Sequence, residues 1–267
     1  MRGLAGKAAI VTGGAQGIGR ACVERLLEYD CPVVFSDLDL EQGKRTRDEL
    51  RSKGGDVTFV HCDMQDEDSC IALRDSALEK TGKIEILINH AFSFVAAGLN
   101  ATRDQWRRSL EVGPLGYASM IQLVSQPMQE IRGGAIVNIS SISAHIAQPD
   151  RWTYNCAKGA VHQLTKCAAL DLAVHGIRVN SVSPGWIWTR EVAKAAGDHP
   201  EKYRKIWGKF HMLRRCGTVD EVASACMFLC SDEASFITGT DLPVDGGYLS
   251  LGGEGIGENT LFAGSSD

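Results

Sequence analysis

No apolar run in the 267-residue sequence approaches the roughly 20 residues that a membrane-crossing helix needs. A helical membrane span is therefore excluded. Positive charge is not in surplus: 28 Lys and Arg stand against 33 Asp and Glu, for a net charge of −5. This argues against a general nucleic-acid or anionic-membrane surface. The 9 cysteines include no Cys-x-x-Cys pair, the usual spacing of cysteine zinc ligands. Their odd number and irregular spacing suit buried, reduced thiols, and no metal is expected. The opening residues, MRGLAGKAAIVTGG, lack a long apolar signal core and run straight into a strand pattern. A cytoplasmic location is the expectation. Internal repeats and low-complexity blocks are absent as well.

What remains is ordinary globular composition, 44% hydrophobic and 23% charged. Nearly continuous apolar runs at 7–13, 31–37, 56–63, 84–89, 134–141 and 177–185 read as strands. Runs without polar alternation are those of parallel strands covered on both faces. Amphipathic segments at 17–29, 41–53, 67–81, 103–131 and 153–175 separate them, and a helix at 219–230 precedes a seventh strand near 241–244. Regular strand–helix alternation implies right-handed crossovers. The expected fold is α/β, a single doubly wound Rossmann-type parallel sheet with helices on both faces, in one domain over 1–267. The polar stretch at about 188–215 breaks the rhythm and is long enough to be a lid over a site. A glycine-rich tail follows at 249–267.

The stretch TGGAQGIG, residues 12–19, ends the first strand and opens a helix. Glycine allows close approach of a phosphate, and the helix start offers free N–H groups and partial positive charge to a pyrophosphate. The spacing is not Gly-x-Gly-x-x-Gly. Asp37 ends the second strand, 20 residues after Gly17, where an acid can bind ribose hydroxyls. Its carboxylate would repel a 2′-phosphate, and Gln16 offers that phosphate no positive charge. Both favour NAD over NADP. Asp39 competes with Asp37 for the role.

The segment WTYNCAK, residues 152–158, places Tyr154 and Lys158 four apart, on one face of a helix. A free tyrosine titrates near about 10. The stretch alone fits either a chance pair on a solvated helix face or a proton donor whose phenolate a nearby ammonium would favour.

Taken together, these motifs resemble the short-chain dehydrogenase/reductase family from about residue 5 to residue 248. The resemblance implies a catalytic set of Ser141, Tyr154 and Lys158, with Lys158 also bonding the nicotinamide ribose. It implies cofactor contacts at Gly13, Gln16, Gly17, Ile18, Gly19 and Asp37, and at Asp63 beside the adenine. Asn89 and Ala91 of NHAF, residues 89–92, match the family's Asn-Asn-Ala-Gly. Pro184, Gly185, Ile187 and Thr189 of PGWIWT match its nicotinamide-holding stretch. A homotetramer or homodimer is also implied, built partly from the 103–131 and 153–175 helices. No metal is needed.

Two departures stand out. His90 and Phe92 replace the family's second asparagine and its glycine. His90 is read as a packed or solvent-facing histidine, with a polar pocket group as the alternative. In LEVGPLGY, residues 110–117, Gly113 stands where the family carries a fourth catalytic residue, an asparagine. Water is expected in the place of the missing amide. Gly113 and Pro114 should also bend the helix. Trp152, Trp186, Trp188, Phe94 and His145 are candidates for the pocket wall or for lid packing. Cations in YRKIWGKFH, residues 203–211, read as a solvated face, with attraction of an acidic substrate as the alternative.

The functional expectation is an NAD-dependent oxidoreductase that interconverts a secondary alcohol, sugar or cyclic hydroxyl with its carbonyl. Two alternatives are an NADP-linked carbonyl reductase and a dinucleotide-binding protein weakened catalytically through Gly113. The partner is a small molecule, with neither nucleic acid nor membrane.

Overall fold

The computed structural model describes residues 1–252 and residue 255. The expected tail at 249–267 therefore lies mostly outside the described residues.

Seven strands form one sheet: β1 (Ala9–Thr12), β2 (Val33–Asp37), β3 (Val57–His61), β4 (Ile86–Asn89), β5 (Gly134–Ile139), β6 (Ile177–Pro184) and β7 (Asp241–Val244). Their order is β3-β2-β1-β4-β5-β6-β7, and every pairing is parallel. The chain adds strands outward in one sense from β1 to β3 and in the opposite sense from β4 to β7, so the order switches between β1 and β4. In open α/β sheets a crevice forms at the carboxyl ends of such strands, and ligands bind there.

Alternation along each strand divides the interior. Ala9 and Val11 face a core shared with α1 (Gly17–Leu27) and α9 (Val219–Cys230). Ile10 and Leu87 face a second core with α3 (Glu67–Thr81), α5 (Gly116–Glu130) and α6 (Trp152–Leu172). Both sides of the central strands are covered, which accounts for their unbroken apolar runs. A one-residue slip would exchange the two sets.

The remaining helices are α2 (Leu40–Ser52), α4 (Arg103–Leu110), α7 (Arg190–Ala195) and α8 (Pro200–Gly208). The expected 103–131 helix is thus two helices joined by a wide, π-type turn at Glu111–Leu115. Gly113 leaves helical geometry (φ −78°, ψ −106°) just ahead of Pro114. Proline lacks the helical donor and disfavours the α region in the residue before it.

Seven of the nine cysteines are buried, as expected, but Cys156 and Cys167 lie exposed on α6. Among the described residues no helix is long and apolar enough to cross a membrane.

Candidate active site

The TGGAQGIG turn joins β1 to α1 at the switch point. Gln16 is the N-cap of α1 and makes no side-chain cap bond, and the first turn holds no acidic residue. Its N–H groups and positive end are left available to an anion. Gly17 has φ +59°, and a Cβ there would meet nothing nearer than Thr189 Cγ2 at 3.9 Å. Ile18 and Gly19 point inward and anchor the helix on the sheet. Gly13 packs against Ala91.

Asp37 lies at the carboxyl end of β2. Its Oδ2 accepts the Ala15 N–H at 3.1 Å and its Oδ1 accepts the Asp39 N–H at 3.0 Å. Burial raises its pKa, while those N–H bonds work the other way. Asp39 caps α2 through Gln42, which leaves Asp37 as the acid facing the turn. Asp63 follows β3 and accepts the Gln65 N–H at 3.0 Å.

Asn89 and His90 support the cleft from below. The Asn89 amide is fully buried and donates to Asn138 Oδ1 at 3.0 Å, so its side chain braces β4 against β5. The His90 and Ala91 N–H groups both donate to Thr12 Oγ1, at 3.0 and 3.1 Å. His90 Nδ1 lies 3.0 Å from the Gly13 carbonyl, which only accepts, so Nδ1 carries the proton. Burial first, then the charge of Lys158, pushes the His90 pKa down to about 4. His90 is thus a packed histidine that ties β4 to the glycine turn.

Ser141 lies two residues past the end of β5, and its Oγ accepts the Ser143 N–H at 3.1 Å. Tyr154 and Lys158 occupy the first two turns of α6. Burial raises the Tyr154 pKa, and the Ser141 hydroxyl and Arg151 pull it back. Lys158 is itself buried, only 3% exposed, and burial lowers its pKa to about 7. Its Nζ donates to the Ile139 carbonyl at 2.8 Å.

The same Nζ sits 3.9 Å from the centroid of the Phe92 ring. That ring also meets Tyr154 edge-on at 5.3 Å and fills the space beside Gly113, where a Cβ would lie 2.5 Å from Phe92 Cε2. This corrects the expectation of water. The volume beside Gly113 is taken by an aromatic ring, and the two departures from the family pattern are one packing arrangement.

Pro184 ends β6, and Gly185 N–H donates to the Val244 carbonyl at 3.0 Å. Ile187 is buried in the core. Thr189 caps α7 through the Val192 N–H at 3.2 Å. The 188–215 segment carries α7 and α8, with Trp186 stacked on Trp207 at 4.6 Å and Trp188 under the Arg204 guanidinium at 4.2 Å. His211 fastens it, accepting the Trp186 N–H at 3.1 Å. Phe94 reaches the site, 4.7 Å from the Tyr154 ring. His145 does not, because it pairs with Asp241 at 3.0 Å. Trp152 is 51% exposed. Sequence reasoning missed Arg151, three residues before Tyr154, whose only signal was a charge among aromatics in RWTY.

A family model described as enoyl-(acyl carrier protein) reductase matches residues 13–249. The chain is 36% identical over 245 residues to cyclopentanol dehydrogenase of Comamonas sp. (strain NCIMB 9872), covering 91% of this chain and 97% of that protein. Its fold superposes on the ligand-free aldohexose dehydrogenase of Thermoplasma acidophilum with a TM-score of 0.86, at 35% identity over 94% and 96% of the two chains. A 7α-hydroxysteroid dehydrogenase structure, complexed with NADH and 7-oxo glycochenodeoxycholic acid, gives a TM-score of 0.85 at 32% identity over 91% and 94%. Oxidoreduction at CH–OH groups is the activity that the matched sequences and folds support, and the chain belongs to the short-chain dehydrogenase/reductase family.

Proposed function

We propose that this protein is an NAD-dependent dehydrogenase that interconverts a cyclic secondary alcohol and its ketone, with Tyr154 as the general acid/base. The observation that carries this reading is that Lys158 Nζ reaches the Ile139 carbonyl, two residues before Ser141, with Tyr154 one turn ahead of Lys158 on α6. The cyclic alcohol, sugar and steroid in the relatives' names support the substrate class.

The uncapped start of α1, the open face of Gly17 and the Asp37 carboxylate suit a dinucleotide. Bound nicotinamide would supply the hydride acceptor and a positive charge near the phenol. Ser141 Oγ holds the alcohol oxygen. The phenol oxygen of Tyr154 exchanges the proton of that alcohol. Lys158, brought to about 7, can gain or lose a proton at neutral pH and so reset the phenol. Phe94 and Trp186 offer apolar faces suited to a ring.

The test is a purified-protein assay of nicotinamide absorbance with NAD and a panel of cyclic and linear secondary alcohols. Turnover of cyclic members supports the reading. Binding of NAD without turnover of any member would replace it with the dinucleotide-binding alternative.

A further inference from the structure

We propose that Arg151 binds a carboxylate on the substrate, so that the preferred alcohol is a ring-bearing hydroxy acid. This inference rests on the reading of the site as an alcohol dehydrogenase.

The placement of Arg151 comes first. It is the N-cap residue of α6, and its carbonyl accepts the Asn155 N–H at 2.8 Å, so its backbone is fixed three residues ahead of Tyr154. Its guanidinium carbon lies 5.6 Å from the centroid of Phe94 and 5.4 Å from that of Trp186. These rings come from the loops after β4 and β6. Phe94 in turn packs on Tyr154. A cation, an aromatic wall and the reacting phenol therefore line one continuous surface.

The second point is what Arg151 lacks. Several arginines are paired internally, Arg20 with Glu24 and Glu49 and Arg215 with Glu221. Others among the described residues are unpaired on the surface, but Arg151 is the unpaired one set against the aromatic wall beside Tyr154. In the 188–215 segment Arg204 lies 3.7 Å from Glu201, and Lys194 lies 2.8 Å from Glu191. Among the described residues, neither an ion pair nor a side-chain hydrogen bond engages the Arg151 guanidinium. The adjacent Asp150 carboxylate lies beside Gly98 and forms no ion pair with Arg151.

Aromatic contact engages the flat face of a guanidinium and leaves its N–H edge free. That edge matches the two oxygens of a carboxylate. The charge is also close enough to the reaction centre to lower the Tyr154 pKa. A neutral substrate would leave this group unused, whereas an anionic one would be oriented with its hydroxyl toward Tyr154.

Two measurements test the assignment. The first is calorimetric titration of the protein, with NADH present, with cyclohexanecarboxylate and with cyclohexanecarboxamide. The carboxylate should bind at least tenfold more tightly than the amide, and Arg151→Gln should erase that difference. Equal binding of the two probes, or an unchanged difference in the variant, would overturn the role of Arg151 whether or not any alcohol turns over. The second compares kcat/KM for 4-hydroxycyclohexanecarboxylate and its methyl ester. The acid should be favoured by about 10- to 100-fold, mainly through KM, as a charged hydrogen-bonded pair allows. Arg151→Gln should bring the ratio close to one, and Arg151→Lys should recover part of it. Turnover of both at equal efficiency sinks the carboxylate assignment alone. Carboxylate binding without turnover of either compound sinks the dehydrogenase reading and leaves the Arg151 site standing.

Discussion

Phe92 and Gly113 share one volume: the ring of the first lies where a side chain on the second would grow, with its Cε2 2.5 Å from the Cβ that position 113 lacks. Any larger residue at 113 must displace the ring, and the ring covers the Lys158 ammonium at 3.9 Å. Gly113→Asn is therefore expected to lower kcat by tenfold or more, about 1.4 kcal/mol or greater. Phe92→Gly should also lose activity, by uncovering the ammonium. The double variant Phe92→Gly/Gly113→Asn should recover much of the loss. Steady-state rates of the four proteins form a double-mutant cycle. Strictly additive effects would show that the two residues are not coupled.

Tyr154→Phe removes one oxygen and keeps the ring that packs against Phe92 and Phe94. Turnover should fall by at least about a hundredfold, the lower range for a general acid/base. NADH affinity, read by fluorescence titration, should change less than about threefold. A variant that keeps most of its rate would place the proton donor elsewhere.

The fold was legible because its signals are local and repeated. Unbroken apolar runs marked the buried strands, and the β7 range was reached to the residue. The break at Gly113–Pro114 followed from proline chemistry, although its wide helical turn did not. Tyr154 and Lys158 lie in the first two turns of one helix, as their four-residue spacing implied. What sequence alone did not give was contact between distant residues. Phe92 and Gly113 are 21 positions apart, and each looked like a separate defect. Treating Gly113 as a hole invited water, when a large residue on a neighbouring loop had already filled it. Arg151 was missed for the same reason, because its unpaired state depends on which acids the fold brings near.

Asp37 faces the glycine turn with a carboxylate held by two N–H bonds. We expect NADH to bind at least tenfold more tightly than NADPH, since a 2′-phosphate would meet that charge. The comparison is a demanding one, because Arg190 reaches Gln16 at 3.5 Å and brings a cation to the same turn. Asp37→Ala should narrow the gap. Fluorescence titration with both cofactors decides the matter, and tighter NADPH binding by the unaltered protein would reverse the assignment.

His90 should make the protein acid-sensitive. An unfolded histidine titrates near about 6.5, whereas burial and the neighbouring Lys158 hold His90 at about 4. Between these values the unfolded chain takes up a proton that the folded one refuses. The stability linked to His90 is therefore complete above about pH 6.5 and is lost as pH falls toward 4. The full shift would be worth about 3 kcal/mol, and partial access of water to the ring brings this to about 2 kcal/mol. His90→Asn keeps an amide able to donate to the Gly13 carbonyl but cannot titrate. Carboxylates also lose charge over this range, so the useful quantity is the difference between the two proteins. Urea unfolding at pH 7, 5.5 and 4.5 should show the unaltered protein losing about 2 kcal/mol more than His90→Asn. Parallel losses in both would mean that His90 is protonated in the folded state, and that the Nδ1 bond to Gly13 survives charging.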